Sequence, residues 1–169
     1  MRVCQAEAGD IDYIVDLSRR VQEKLTALGS LQKIGPIARA MVAAHVSAGS
    51  AHILEAAARR LGSVFVAPTT PASSPRLARW GLSDPHLAYW FLEKLMIEPA
   101  KQGHGLGYTL LDGIRAYVAS HKQPSCIVLD CWAGNDTLRA FYTRAGFALQ
   151  GVFRATGGFE IAVFTYRQE

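Results

Sequence analysis

The sequence contains few cysteines, no long apolar run and no long basic run. Its three cysteines form no Cys-x-x-Cys pair and have no histidine around them at metal-ligand spacing: Cys4, Cys126 and Cys131. This pattern argues against a structural zinc site and indicates a reducing compartment. No apolar run approaches the roughly 18 residues that a membrane span needs, and Glu7 and Asp10 come too early for a signal peptide. We therefore expect a soluble protein of the cytoplasm.

The basic residues are too dispersed to form a nucleic-acid-binding tract. Eighteen Lys and Arg against fourteen Asp and Glu give a formal charge of +4, which suits an anionic ligand. However, the basic residues occur as pairs such as Arg19-Arg20, and no nucleic-acid-binding motif is present, so a nucleic-acid role is a minor alternative. Half of the 169 residues are hydrophobic. We expect one domain, residues 1–169, that closes its core without metals or disulfides.

Apolar periodicity and turn residues predict an α/β order of elements. Helices are expected from Asp10 to a stop at Gly29, from Pro36 to about Ala48, after a glycine-rich segment, and after Asn135. Residues 50–71 could continue a helix, but a hairpin of two strands is favoured. The proline-rich residues 68–79 are expected to form an exposed loop. The expected strands cover residues 2–7, 52–55, 63–67, 88–98, 125–132, 147–154 and 159–167.

The segment KQGHGLGYTLL, residues 101–111, places three glycines between a predicted strand and a predicted helix. A turn in that position directs free backbone N–H groups and the positive end of the helix at one spot, which suits phosphate. Glycine permits positive φ and leaves no Cβ between the amides and a ligand. The segment fits neither a Walker loop nor the Gly-x-Gly-x-x-Gly dinucleotide fingerprint. A tight turn without a ligand is the alternative interpretation.

A different pattern does fit, namely Gln-x-x-Gly-x-Gly at Gln102, Gly105 and Gly107, after a strand that ends in LMIEP. A second block, NDTLRAFYTRAGF at residues 135–147, has Asn followed by a Phe-Tyr-x-x-x-Gly-Phe ending. With these two blocks and its order of elements, the chain resembles the GNAT superfamily of acyl-CoA-dependent N-acyltransferases. The resemblance implies a mixed α/β fold, with a mostly antiparallel sheet of about seven strands, about four helices, and a splay between the fourth and fifth strands.

The resemblance also implies acetyl-CoA as the co-substrate and no metal. The main chain of the turn would hold the pyrophosphate, the strand before it would bond the pantetheine arm, and Asn135 would contact the other end of the cofactor. Alternatively, Asn135 only caps its helix and His104 is a solvated loop residue. The implied cofactor-binding residues are Leu95, Met96, Ile97, Gln102, Gly103, His104, Gly105, Leu106, Gly107, Tyr108, Asn135, Leu138 and Phe141.

Acyl transfer to an amine needs a base for the amine proton and an acid for the departing thiolate. The resemblance marks Tyr142 as the acid. Glu93 is the candidate base, because regular strand alternation would place it among the apolar side chains Phe91, Leu95 and Ile97, where a carboxylate loses hydration and becomes a better base. The alternatives are an ordinary half-buried tyrosine, and a Glu93 that pairs with an arginine or positions a water.

These residues predict an N-acetyltransferase that moves an acetyl or short acyl group to a primary amine in a ternary complex. A non-catalytic acyl-CoA-binding module is the alternative. In this fold the acceptor is usually walled by segments that correspond to residues 26–37 and 67–86, which hold few acidic side chains, so a polycationic acceptor is disfavoured. We expect a small-molecule or peptide amine, and a homodimer fits the family. Cys131 lacks a nearby histidine and is expected to be buried rather than nucleophilic.

Overall fold

The computed structural model describes residues 1–169, which form two units. The first unit contains Met1–Val66 and Glu93–Ala116, and the second contains Ala67–Leu92 and Tyr117–Glu169. The strands are β1 Arg2–Gln5, β2 Ala51–Ala56, β3 Arg59–Thr69, β4 Ala88–Ile97, β5 Ser125–Trp132, β6 Ala148–Arg154 and β7 Glu160–Gln168. The helices are α1 Ile11–Ala27, α2 Arg39–Ser47, α3 Pro75–Arg79, α4 Leu106–Ala119 and α5 Asp136–Arg144. None of these helices combines the length and the apolar character that crossing a membrane requires.

The seven strands form one sheet in the order β1-β2-β3-β4-β5-β7-β6. The pairs β1–β2, β2–β3, β5–β7 and β6–β7 are antiparallel, whereas β4 and β5 are parallel. The parallel ladder joins Ala88–Phe91 to Ser125–Val128 and ends there. The predicted fold class, a mixed and mostly antiparallel sheet with flanking helices, is therefore confirmed.

The first unit is held together by the apolar face of α1. Ile14, Leu17 and Val21 recur at helical spacing and are buried against residues of the sheet that include Phe65 and Met96. Each fully buried aliphatic side chain of this kind contributes about 1.5–3 kcal/mol relative to an exposed one. Gly62 lets β3 approach β4 closely, since a Cβ on Gly62 would lie 2.6 Å from the Met96 carbonyl oxygen.

The second unit has its own apolar cluster around the N-terminal half of β4. The rings of Trp80 and Tyr89 pack with buried residues of α3, β5 and β7. The strand β5 is almost wholly buried and has neighbours on both edges, which suits its nearly continuous apolar sequence. The predicted hairpin at residues 50–71 is also present, as β2 and β3.

The prediction that residues 68–79 form an exposed loop is wrong in part. Strand β3 continues to Thr69, and Pro75–Arg79 forms α3, with Leu77 fully buried. Proline is favoured in the first turn of a helix, where its missing N–H costs nothing, so Pro75 starts a helix instead of preventing one. The second helix begins at Arg39 rather than Pro36.

Candidate active site

The glycine-rich turn leads from β4 into α4, and two of its glycines have left-handed backbones. Gly103 and Gly105 have φ angles of +82° and +80°, which residues with a Cβ rarely adopt. A Cβ added to either would meet no atom within 4 Å. The backbone conformation, not crowding, therefore favours glycine at these two positions, and the main chain beside them is open to a ligand.

Gln102 fixes the start of this turn through its side chain. Its Nε2 donates to the Ile97 carbonyl oxygen at 3.2 Å, and its Oε1 accepts a hydrogen bond from the Lys24 ammonium at 2.8 Å. Lys24 also donates to the Pro99 carbonyl oxygen at 3.2 Å. These bonds tie the turn to the end of β4 and to α1. A turn that is fixed before binding loses less conformational entropy when it holds a ligand.

The N-terminus of α4 supplies unpartnered helical donors next to the turn. The first helical bonds run from the N–H groups of Tyr108 and Thr109 to the Gly105 carbonyl oxygen, at 3.1 and 3.3 Å. The N–H groups of Leu106 and Gly107 come before these and have no acceptor within the helix. Open backbone donors and the positive helix end thus coincide, which suits an anion.

His104 closes the same turn with its own ring. Its Nδ1 lies 3.0 Å from the Gln102 carbonyl oxygen and 3.2 Å from the Lys101 carbonyl oxygen. Because both neighbours are acceptors, this nitrogen carries the hydrogen. His104 is exposed, and its contact with a cofactor stays a prediction.

The strand β4 is distorted directly after Glu93. Lys94 has a φ of +55°, the left-handed region that lysine seldom adopts, and such outliers often accompany functional sites. The expectation that Glu93 and Leu95 share a face through regular alternation is therefore not met, because the left-handed residue between them breaks the pleat. Glu93, Lys94 and Leu95 are all half-buried instead of alternating.

Glu93 faces a histidine rather than an arginine. Its Oε1 lies 3.7 Å from Nε2 of His45, on α2, and its side chain keeps 39% of its exposure. The fully apolar environment that the sequence predicted is therefore absent. A carboxylate that is partly in water and beside an imidazole is open to proton exchange with both.

Tyr142 lies in the second unit with its ring buried among aromatic side chains. The ring centroids of Phe141, Phe147 and Phe164 lie 5.1, 5.8 and 5.8 Å from its own. Burial raises the pKa of its phenol well above the ordinary value, and the nearby thiol of Cys131 adds to this effect. The hydroxyl makes no hydrogen bond within the protein. A protonated phenol with an unused hydrogen is thus held in a fixed place.

Asn135 caps α5, which was one of the two roles predicted for it; the other was contact with the cofactor. Its Oδ1 accepts a hydrogen bond from the Leu138 N–H at 3.0 Å. Leu138 and Phe141 lie one helical turn apart on α5, and both are half-buried. Their contacts with a cofactor, like that of Asn135, stay predictions.

Cys131 is not suited to nucleophilic chemistry. Only 1% of it is exposed, and burial, with a smaller contribution from Asp130, raises the pKa of its thiol to about 11. The thiolate is the nucleophilic form, so the thiol is inert near neutral pH. The structure also contains no group of three or more His, Cys, Asp or Glu side chains that could hold a metal ion.

The sequence from residue 52 to residue 147, more than half of the chain, matches the model of the acetyltransferase (GNAT) family. The chain belongs to the GNAT acetyltransferase family. Membership implies acyltransferase activity, and acetyl-CoA is the donor that GNAT acetyltransferases use. No curated protein sequence matches the chain significantly.

Solved GNAT structures share the fold over nearly the whole chain. An acetyltransferase of the family from Streptococcus agalactiae 2603 is 18% identical with a TM-score of 0.79, covering 99% of this chain and 95% of that one. Another, from Listeria monocytogenes 4b F2365, is 20% identical with a TM-score of 0.76, covering 98% and 94%. Arabidopsis thaliana NAA60, solved with a bisubstrate analogue, is 13% identical with a TM-score of 0.75, covering 99% and 98%. At these identities the likeness shows the fold.

Two buried polar residues of this GNAT chain, which the sequence did not single out, shape the connection between α1 and α2. The Gln22 Oε1 accepts hydrogen bonds from the N–H groups of Ile34 and Gly35, at 2.8 and 3.1 Å. The Ser18 Oγ accepts one from the Ile37 N–H at 3.0 Å. Residues 28–38 are therefore anchored to α1. In the sequence, the only sign of this role was that Ser18 and Gln22 are polar residues on the apolar face of α1.

Proposed function

We propose that this chain transfers an acetyl or short acyl group from acyl-CoA to a primary amine by direct attack in a ternary complex. The supporting observation is the turn at residues 102–107. Two left-handed glycines with open space beside them, Gly103 and Gly105, precede unpartnered amides at the start of a helix. A diphosphate fits this arrangement because the amides, the helix end and the absence of Cβ atoms all favour an anion close to the main chain.

In this proposal the backbone amides of Gly103 to Gly107 bind the pyrophosphate of CoA, and the C-terminal part of β4, Leu95 to Ile97, bonds the pantetheine arm. Asn135, Leu138 and Phe141 contact the cofactor from α5. When bound, acetyl-CoA supplies an acyl group that is already activated as a thioester. The protein's remaining tasks are to orient that group, remove a proton from the amine and protonate the leaving sulfur.

Glu93 takes the amine proton in this proposal. Its carboxylate is partly exposed and lies on a distorted segment of β4, beside the residues proposed to hold the pantetheine. A primary amine is largely protonated near neutral pH, and its ammonium form must lose a proton before the nitrogen can attack a carbonyl carbon. Glu93 accepts that proton directly or through one water.

Tyr142 supplies the proton for the leaving thiolate. Burial keeps the phenol protonated, since it raises the pKa of this group, and the hydroxyl has no competing acceptor in the protein. As the C–S bond breaks, the phenol donates its hydrogen to the sulfur that gains the electron pair, and the phenolate left behind takes a proton back from solvent. A positioned acid of this kind contributes roughly 10²–10⁴ in rate.

The acceptor in this proposal is a small-molecule or peptide amine without high positive charge. Residues 26–37 and 67–86 carry one acidic side chain between them, Asp84, which disfavours a polycation. A bisubstrate analogue joins donor and acceptor in one molecule, so its presence in the Arabidopsis neighbour supports a ternary complex here by analogy. The three free thiols fit a reducing cytoplasm.

The test measures thiol release from acetyl-CoA with a panel of primary amines, for the wild type, Glu93→Gln and the control Glu23→Gln. Glu23 is an exposed residue of α1 that pairs with Arg19. We expect turnover with at least one amine, a fall in kcat of about 10²–10⁴ in Glu93→Gln, and no change in the control. An unchanged kcat in Glu93→Gln would remove the assigned base. Tight CoA binding without thiol release for every amine would favour an acyl-CoA-binding module.

A further inference from the structure

His45 stands at the end of a short chain of polar groups that leads to Glu93. It lies in the last turn of α2, and its ring stacks on Phe65 with the centroids 4.1 Å apart and the planes at 16°. Its Nε2 faces Oε1 of Glu93 at 3.7 Å, and 22% of its side chain is exposed. The ring is thus held in one orientation by an apolar partner and directed at the proposed base.

Ser50 determines which ring nitrogen carries the hydrogen. The Ser50 hydroxyl lies 2.8 Å from His45 Nδ1 and donates to the His45 carbonyl oxygen at 3.2 Å. A hydroxyl has one hydrogen to donate, so with that hydrogen on the carbonyl it can only accept from Nδ1. In that arrangement the neutral ring carries its hydrogen on Nδ1 and presents the lone pair of Nε2 to Glu93, which is the tautomer that the proposal requires.

The surroundings of His45 favour this neutral form. Burial lowers the pKa of the imidazole, and Glu93 opposes that effect only in part. Phe65 of β3 is apolar, Ser50 is uncharged, and Glu93 of β4 is the one charged group that acts on the ring. Near neutral pH the ring is therefore able to accept a proton.

We propose that His45 acts through Glu93 as a positioning residue. Its Nε2 receives the proton that Glu93 removes from the acceptor amine. This inference rests on the proposed function. An N–H bond of the ammonium breaks as the carboxyl O–H bond forms. The carboxyl O–H bond then breaks as an Nε2–H bond forms, which leaves a carboxylate beside an imidazolium. The imidazolium returns its proton to water at its exposed edge.

The gap between the two side chains fits transient contact. At 3.7 Å the Oε1–Nε2 distance is too long for a hydrogen bond. Glu93 is partly exposed, so a rotation of its side chain or one bridging water closes the gap. The transfer gives Glu93 a route back to its ionised form besides direct proton exchange with water.

The first test reads the His45 ring by ¹⁵N NMR and does not depend on turnover. His45→Gln assigns the signals. We expect the Nδ1–H tautomer at neutral pH, and a lower pKa of His45 in Glu93→Gln, because that variant removes the negative charge that favours the imidazolium. An Nε2–H tautomer, or a pKa of His45 that is the same in Glu93→Gln as in the wild type, would overturn the proposal.

The second test follows the pH dependence of kcat in His45→Gln and His45→Phe, the latter keeping an aromatic ring against Phe65. We expect kcat to fall about 10-fold or more in both, with KM for acetyl-CoA unchanged and one ionisation lost from the acid limb. His121→Gln, an exposed histidine, serves as the unchanged control. A uniform fall in kcat with the wild-type pH profile would assign His45 a structural role only and refute the proposal. If the wild type turns over no amine but the pKa of His45 still depends on Glu93, the proposed function fails and the His45–Glu93 interaction does not.

Discussion

Tyr142 joins a buried ring to a hydroxyl that no protein group uses. The ring accounts for packing with Phe147 and Phe164, and the hydroxyl is free for chemistry. Removing the hydroxyl alone therefore separates the two roles. A purely structural tyrosine would leave catalysis intact, whereas an acid would leave folding intact.

Tyr142→Phe should reduce kcat by about 10²–10⁴ and leave the free energy of unfolding nearly unchanged, because the substitution keeps the ring and breaks no hydrogen bond. Thiol-release kinetics and urea unfolding measure the two quantities. Because burial raises the pKa of the phenol, its ionisation should not limit the wild-type rate on the alkaline side below about pH 10. Wild-type kcat in the variant would exclude Tyr142 as the acid.

Glu98 joins the end of β4 to α1 through a two-point ion pair. Its carboxylate accepts from Arg20 at 2.5 and 3.0 Å, and both side chains are largely buried. The hydrogen bonds from Arg20 lower the pKa of Glu98 below its ordinary value. A lowered folded-state pKa means that this stabilisation is present above the pKa of the unfolded chain and is lost as pH falls through the folded value.

Glu98→Gln should therefore reduce the free energy of unfolding by about 1–2 kcal/mol at pH 7. The difference from the wild type should shrink in acid, since protonation of Glu98 removes the same charge. Urea unfolding at pH 7 and at about pH 2 compares the two. A difference that is equal at both pH values would show that the ion pair is not its cause.

At the scale of elements, the turn between β4 and α4 allows the effect of a left-handed backbone on stability to be measured separately from its effect on ligand binding. Gly105 and Gly29 make a matched pair for this purpose. Both have left-handed backbones, with φ of +80° and +73°, and a Cβ on either would meet nothing within 4 Å. Only Gly105 lies in the proposed pyrophosphate site.

Gly105→Ala and Gly29→Ala should each cost about 1–2 kcal/mol of stability, the penalty of a Cβ in a left-handed backbone. Only Gly105→Ala should also weaken CoA binding, by at least about 10-fold, because the added methyl group lies between the amides and the diphosphate. Calorimetric titration with CoA measures this. Equal CoA affinity in the two variants would contradict a site at this turn.

The elements with strong periodicity were predictable, and those that depend on tertiary contacts were not. Helix α1, strand β5 and the Asn135 cap follow from patterns that neighbouring residues settle locally. Helix α3 was missed because prolines dominate residues 68–79, although Pro75 sits where a helix accepts proline.

Within the candidate site, the glycine turn was predictable because its conformation demands a residue type. The left-handed Lys94 carried no such sign, since lysine is not a residue that usually marks positive φ. His45 was also invisible, because it meets Glu93 only through the packing of α2 against the sheet. Sequence spacing gives no information about a contact between residues so far apart.

For the molecule as a whole, two histidines link stability to pH. Burial lowers the pKa of both His45 and His52. Because the folded values lie below 6.5, the unfolded chain binds protons first as the pH falls. Stability is therefore complete above the unfolded pKa and declines as pH drops through it.

The free energy of unfolding should thus be lower at pH 5 than at pH 7, and the double variant His45→Gln/His52→Gln should show a flatter dependence. His86→Gln, at an exposed loop position, should keep the wild-type slope. Urea unfolding across this range measures both slopes. An unchanged slope in the double variant would mean that other groups set the pH dependence.

Binding of the CoA pyrophosphate at the turn of residues 102–107 can be tested by a crystal structure of the protein with CoA. We expect phosphate oxygens within about 3.2 Å of the backbone nitrogens of Gly103 to Gly107, with the thiol end of CoA running along Leu95 to Ile97. A diphosphate bound elsewhere on the chain, with this turn free of ligand, would contradict it.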